Sequence, residues 1–217
     1  MLVTKFVTKG KEGENKVNLE VAINTSLNFE KNGEKGVKQQ DTAHKQFARE
    51  LISNLDTMHA HSKGARFTVS FEGSDGKSHK FNLDTMPDTT TKESGKTNRN
   101  FVLHSWEKDE KTKNSVDSIF INGRGGKGDS KEFFEMDDSR SGFKLADIKV
   151  GEKNNLGIRV FVDKVDSKIL DTFGESNKIV LSKESVTAYQ PKAKDVDEVK
   201  IGATKQEGPK NDGPDMA

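Results

Sequence analysis

The chain has 217 residues, no cysteine, and 36 lysines and arginines against 35 aspartates and glutamates, a formal net charge of +1. That length buries a core without covalent staples, the missing cysteines exclude thiolate nucleophiles and Cys-ligated zinc or iron–sulfur sites, and the balanced charge excludes bulk attraction to nucleic acid. Hydrophobic residues make up only 30% and charged residues 33%, a composition that leans toward disorder, so it is the spacing of the apolar residues that marks a folded domain.

The N-terminal stretch MLVTKFVTKGKEGENK lacks the apolar run of a signal peptide, and no segment approaches the length of a membrane span. A cytoplasmic protein, or one in a particle assembled in the cytoplasm, is therefore expected. Val17, Leu19, Val21 and Ile23 alternate with polar residues and predict a strand with one buried face; Asn32-Gly33 has turn chemistry after Leu27 and Phe29. Between Gln39 and Lys63 the pattern changes. Ala43, Phe47, Ala48, Leu51, Ile52, Leu55 and Met58 fall at steps of three and four, which predicts an amphipathic helix over 41–62, with Asp41 or Thr42 as its cap and Gly64 as its stop.

Phe67, Val69 and Phe71 resume the alternation, and Asp75-Gly76 turns the chain toward Phe81 and Leu83. The polar run MPDTTTKESGKTNR has no periodicity and predicts a mobile loop over 86–99. Further strands are expected at Asn100–Trp106, Val116–Asn122, Gly142–Val150, Lys178–Ser182 and Val196–Ile201, and Ile158, Val160 and Val162 mark another. The segment 203–217 has nothing apolar to bury and is expected to be a disordered C-terminal tail. The order predicts an α+β fold, predominantly antiparallel β (sandwich or barrel), with one amphipathic helix packed on it, in a single domain over 1–202.

One motif suggests chemistry. In SIFINGRGGKGDS, Gly123, Gly125 and Gly128 stand at the G-x-G-x-x-G spacing of a pyrophosphate-binding turn. Such a turn needs a buried parallel strand before it and a long amphipathic helix after it. The following DSKEFFEMDDSR supplies only Phe133, Phe134 and Met136 as apolar residues, so a hairpin loop whose glycines adopt positive φ is the expected structure. The same loop has a second use. Arg124 and Lys127, followed by Phe133 and Phe134, have the residue types for touching a single-stranded nucleic acid, cations on the backbone and a ring on a base. Against this, one phenylalanine of such a pair is commonly core and the other half-covered.

Other chemistry is poorly supported. His59 and His61 are two residues apart on a helix and point to different sides, so they do not share a metal ion. Asp137, Ser139, Ser141 and Gly142 imitate the start of a calcium loop, but position twelve is Ile148 instead of Glu. His104 and Trp106 share one strand face without an identifiable partner. No catalytic residues, metal site or cofactor is predicted, and the chain is read as a non-enzyme. The leading expectation is an assembly or structural protein, for instance a viral or phage particle subunit, whose partners are further copies or other protein subunits. The alternatives are a single-stranded nucleic-acid-binding protein on a barrel, through Arg124, Lys127, Phe133 and Phe134, and a β-sandwich module for carbohydrate or another ligand.

Overall fold

The structure, a computed structural model, describes residues 1–10, 13–29, 42–62, 65–90, 97–125, 132–163 and 165–188. In chain order the elements are β1 (Leu2–Lys9), β2 (Asn15–Ser26), α1 (Thr42–His61), β3 (Arg66–Glu72), β4 (Ser78–Thr90), β5 (Thr97–Ser105), β6 (Ser118–Gly125), β7 (Glu132–Met136), β8 (Asn155–Asp163), α2 (Ser167–Thr172), β9 (Lys178–Leu181) and β10 (Val186–Ala188). Two short 3-10 turns, Leu145–Asp147 and Glu152–Asn154, lead into β8.

The strands form one antiparallel sheet in the order β10-β9-β1-β2-β8-β3-β4-β5-β6-β7, and this sheet is not closed into a barrel. The fold is therefore the mostly antiparallel α+β type that the alternation predicts, with a single main helix. Two placements are non-sequential: β9 joins the free edge of β1, and β8 separates β2 from β3. The period-2 pattern explains why it fits there: Leu156, Ile158, Val160 and Val162 are all buried, and Val21, Val160 and Val69 lie opposite one another in adjacent strands. Such cross-strand rows of β-branched residues stabilise a sheet by about 0.2–1 kcal/mol per pair over alanine.

Helix α1 lies on one face of this sheet. Ala43, Phe47, Ala48, Leu51, Ile52, Leu55 and Met58 are buried, in one cluster with the inward residues of the strands, and the Phe47 ring meets Phe71 edge-on at 6.2 Å. Polar ties hold both sides of the helix. Near its start, Gln46 Oε1 accepts from Asn28 N at 2.6 Å just beyond β2, while His44 Nε2 stands 2.7 Å from Asp138 Oδ2 just beyond β7. Near its end, Asp56 pairs with Arg99 of β5 through two bonds of 3.0 Å, and His61 Nε2 lies 2.8 Å from Ser182 O just beyond β9. Strands β2 and β7 are six ladder steps apart, as are β9 and β5. At about 4.8 Å per step, a flat sheet separates each pair by about 29 Å. One helix, roughly 10 Å across, touches both members of each pair within a turn or two, so the sheet curls around it. The face toward α1 is the core; the face away from it is turned to solvent over β1, β2, β8, β3 and β4, whereas Asn100 and Val102 of β5 on that face are buried.

Several sequence expectations change. The loop expected over 86–99 is strand at Met86–Thr90 and again at Thr97–Arg99, because β4 and β5 extend past their apolar residues as a polar ladder with a register shift between Met86 and Thr89. The strand expected over Gly142–Val150 is a 3-10 turn with a single bridge from Ile148 to Gly73; Phe143, Leu145 and Ile148 are buried at spacings that suit a turn under the sheet edge. Strands β1, β7 and β10 and helix α2 were not expected. Asn32-Gly33, Asp41, Gly64, Val196–Ile201 and the tail 203–217 lie outside the described residues. Among the described residues, no helix is long and apolar enough to cross a membrane.

Candidate functional site

The glycine loop is a hairpin at its described ends. Strand β6 runs on to Gly125 and pairs antiparallel with β7, Gly123 opposite Phe134 and Arg124 opposite Phe133, so the strand-to-helix turn of a dinucleotide site is not formed. Gly123 is glycine for closeness rather than for positive φ: a Cβ there would run into the Arg99 carbonyl oxygen of the neighbouring strand. Its N–H also donates to Asn100 Oδ1 at 3.2 Å. Of the four residues proposed to touch nucleic acid, the two phenylalanines are directed to different faces of the sheet. Phe134 is 8% exposed and packs edge-on against Phe101 at 5.8 Å, with the Arg99 guanidinium 5.3 Å from its ring, whereas Phe133 points to the opposite face and is 56% exposed. The Arg124 side chain and Lys127 lie outside the described residues.

The remaining polar candidates are structural in their contacts. His61 meets the Ser182 carbonyl and His59 lies against Phe67, so the two diverge as expected. Asp137 fastens a turn: it accepts from Ser139 Oγ at 2.6 Å, Ser139 N at 3.2 Å and Asn122 Nδ2 at 2.9 Å. Burial alone pushes its carboxyl up, but the bonds from Ser139 and Asn122 and the Arg140 N–H together hold it below the ordinary carboxylate value. No group of three His, Asp or Glu side chains among the described residues is arranged to hold a metal ion.

The solvent-facing side of the sheet is different. Because side chains alternate, the outward positions of five adjacent strands share one surface: Phe6 and Thr8 of β1, Lys16 and Asn18 of β2, Arg159 and Phe161 of β8, Thr68 and Ser70 of β3, and Ser78 and Lys80 of β4. Two adjoining depressions that share Lys80 and Phe161 run across it, with volumes of about 710 Å³ and about 360 Å³. The larger has small residues along it, Ala22, Ser70, Ser78 and Gly157. The smaller is walled by Phe6, Phe161 and Trp106. Phe6 and Phe161 meet edge-on at 6.2 Å.

Trp106, the sole tryptophan, stands just past β5 and is 51% exposed. Its orientation is fixed on two sides: the indole N–H donates to Asn82 Oδ1 at 2.7 Å, and Lys80 Nζ lies 5.4 Å from the ring centroid. A large ring left half-exposed yet held in place is an anchor of the kind that binding surfaces use. Charge on this face is mixed. Lys16 stands 3.6 Å from Asp163, Arg159 3.6 Å from Glu20, and Lys149 pairs with Glu72.

His104 has a neighbourhood that the sequence hides. Ser118 Oγ is 3.5 Å from His104 Nδ1, and His104 Nε2 is 3.9 Å from Asp84 Oδ2, a Ser, His, Asp row across three strands. It is not a nucleophile relay. The second separation is too long for a hydrogen bond, the His104 and Asp84 side chains are 42% and 61% exposed, and regular ladders occupy the neighbouring backbone N–H groups that an oxyanion needs.

The groove was missed in the sequence because its residues come from segments more than a hundred positions apart. The available signal was outward aromatics at polar parity: Phe161 in NLGIRVFVD and Phe6 in LVTKFVTK occupy positions that an alternating strand gives to solvent. Comparison with family models, with curated proteins and with solved structures finds no match to this chain.

Proposed function

We propose that this chain is a non-catalytic binding module that holds an extended ligand along the outer face of its sheet. The observation that supports it most is the aromatic-walled groove, with Trp106 half-exposed and immobilised at one side by Asn82 and Lys80. Rigid elements position this site, and its lining of ring faces, hydroxyls and paired charges supports binding. The wall residues Phe6 and Phe161 are not needed for the core, which lies on the other face.

A variant that fills the groove tests the reading. A Cβ on Gly157 would meet only Asn24 Oδ1, at 3.7 Å, so Gly157→Phe places a ring in the larger depression, across the path of an extended ligand that also lies against Trp106, without backbone strain. Trp106 emission reports occupancy directly, since the chain has no other tryptophan. Titration with a neutral oligosaccharide mixture and with an oligothymidylate is expected to shift that emission in the parent chain for at least one probe, and in Gly157→Phe for neither, at equal melting temperature. No shift with either probe, or a shift that Gly157→Phe retains, contradicts the proposal.

A second reading, an assembly subunit, draws on Val7, Phe29 and Phe133, each more than half exposed. It predicts a mass in light scattering that rises with concentration and falls back to that of one chain in Phe133→Ser.

A further inference from the structure

From the chemistry of the groove, and resting on the reading above, we infer that the ligand is an uncharged, hydroxyl-rich chain, a neutral glycan, rather than a polyanion. Charge decides between them. On this face Glu20, Glu72 and Asp163 are each placed against one cation, Arg159, Lys149 and Lys16 respectively, and Asp84 of β4 adds a further carboxylate 3.9 Å from His104. A phosphate chain laid here would meet these carboxylates as like charges, and could use the cations only by taking them from their partners. That leaves Lys80, whose ammonium sits over the Trp106 ring, as the one groove cation not set against a carboxylate among the described residues. A single cation does not steer a polyanion at a net charge of +1.

The uncharged polar groups fit hydroxyls. Asn18 donates to Thr8 Oγ1 at 2.7 Å, Ser70 and Ser78 share a bond of 3.1 Å, and Thr68 bonds Asn82 at 3.5 Å. These pairs hold the side chains in place while each still offers a lone pair or a donor to the groove. A sugar hydroxyl is both donor and acceptor, so it matches such a surface, and the paired carboxylates accept from hydroxyls without being neutralised. The flat Trp106 ring, with Phe6 and Phe161, supplies apolar area for the C–H faces of pyranose rings. The groove crosses five strands, about 19 Å at the usual strand spacing, which suits a chain of sugars better than a single one.

The experiment separates this inference from the reading beneath it. The parent chain, Trp106→Ala, Trp106→Phe and Gly157→Phe are applied to an array of neutral and acidic oligosaccharides, and the best-bound neutral one is titrated at low and high salt beside an oligothymidylate. The expected result is a neutral oligosaccharide whose Kd does not change between about 50 and about 500 mM salt, weakened at least about tenfold by Trp106→Ala and Gly157→Phe and much less by Trp106→Phe. Oligothymidylate binding that collapses as salt rises, with no neutral sugar bound, overturns the glycan inference but keeps the groove if Gly157→Phe abolishes it. Binding to neither probe overturns both.

Discussion

At the scale of single residues, the groove and the turns next to it depend on side chains whose orientation is set by one or two specific bonds. Trp106 is held by Asn82, so Asn82→Ala is expected to leave the fold intact, since both side chains face solvent, but to red-shift and broaden the tryptophan emission as the ring loses its anchor; an unchanged spectrum contradicts the anchoring role. Asp137 gives a prediction in pH. Its folded-state carboxyl is held low, so its bonds to Ser139 and Asn122 contribute stability that is fully present above the unfolded value of about 4 and is lost as pH falls through the folded value. Asp75 behaves alike, because the Lys77 N–H and then His79 bond its carboxylate. Urea unfolding followed from neutral pH down to about pH 3 is expected to show a fall in midpoint that Asp137→Asn makes shallower below about pH 4. A parallel slope in the two proteins contradicts it. Gly123 is a third such point: Gly123→Ala drives a methyl into the Arg99 carbonyl, and a loss of about 1–3 kcal/mol is expected from the strand shift this forces.

At the scale of elements, α1 is fastened by packing more than by its polar ties. Leu51 is 0% exposed at the middle of the apolar stripe, so Leu51→Ala is expected to cost about 2–5 kcal/mol in chemical unfolding. The Asp56–Arg99 pair, though bidentate, has side chains 43% and 41% exposed, and Asp56→Ala is expected to cost at most about 1 kcal/mol. A larger effect from Asp56 than from Leu51 contradicts the account of what holds the helix. The same contrast explains how much of the fold could be read from the sequence. The helix was legible because seven apolar residues repeat at one period, and β2, β3 and β8 because their inward positions are uniformly apolar. Strand β7 was not legible, since EFFEM is five residues long and its buried Phe134 is adjacent to an exposed Phe133. The far end of β4 was read as loop from Met86 because MPDTT runs past the paired part of β3 and ladders with β5 alone, with little to bury.

At the scale of the whole molecule, the curl of the sheet around α1 gives the two faces separate roles, and neither the curl nor the insertion of β8 follows from local pattern. Placement of β8 between β2 and β3 is what puts Phe161 beside Phe6 and within reach of Lys80 and Trp106. The aromatic signal was present in the sequence as isolated outward rings. What the sequence did not contain was their adjacency, which depends on pairing between residues as far apart as Phe6 and Phe161. The Arg124, Lys127, Phe133 and Phe134 cluster, by contrast, looked coherent because its members are close in sequence, yet strand alternation sends its two rings to opposite faces.

The most direct measurement of the central claim is a backbone amide NMR titration of the full chain with the neutral oligosaccharide mixture and, separately, with the oligothymidylate. The account predicts that whichever probe binds perturbs Phe6, Asn18, Lys80, Trp106, Gly157 and Phe161 first and most, as one contiguous stripe on the outer face, and leaves the inward-facing residues of α1 unmoved. Perturbations centred instead on the β6–β7 hairpin around Gly123 and Phe133, or on α1 and the inward sheet face that it covers, would contradict it.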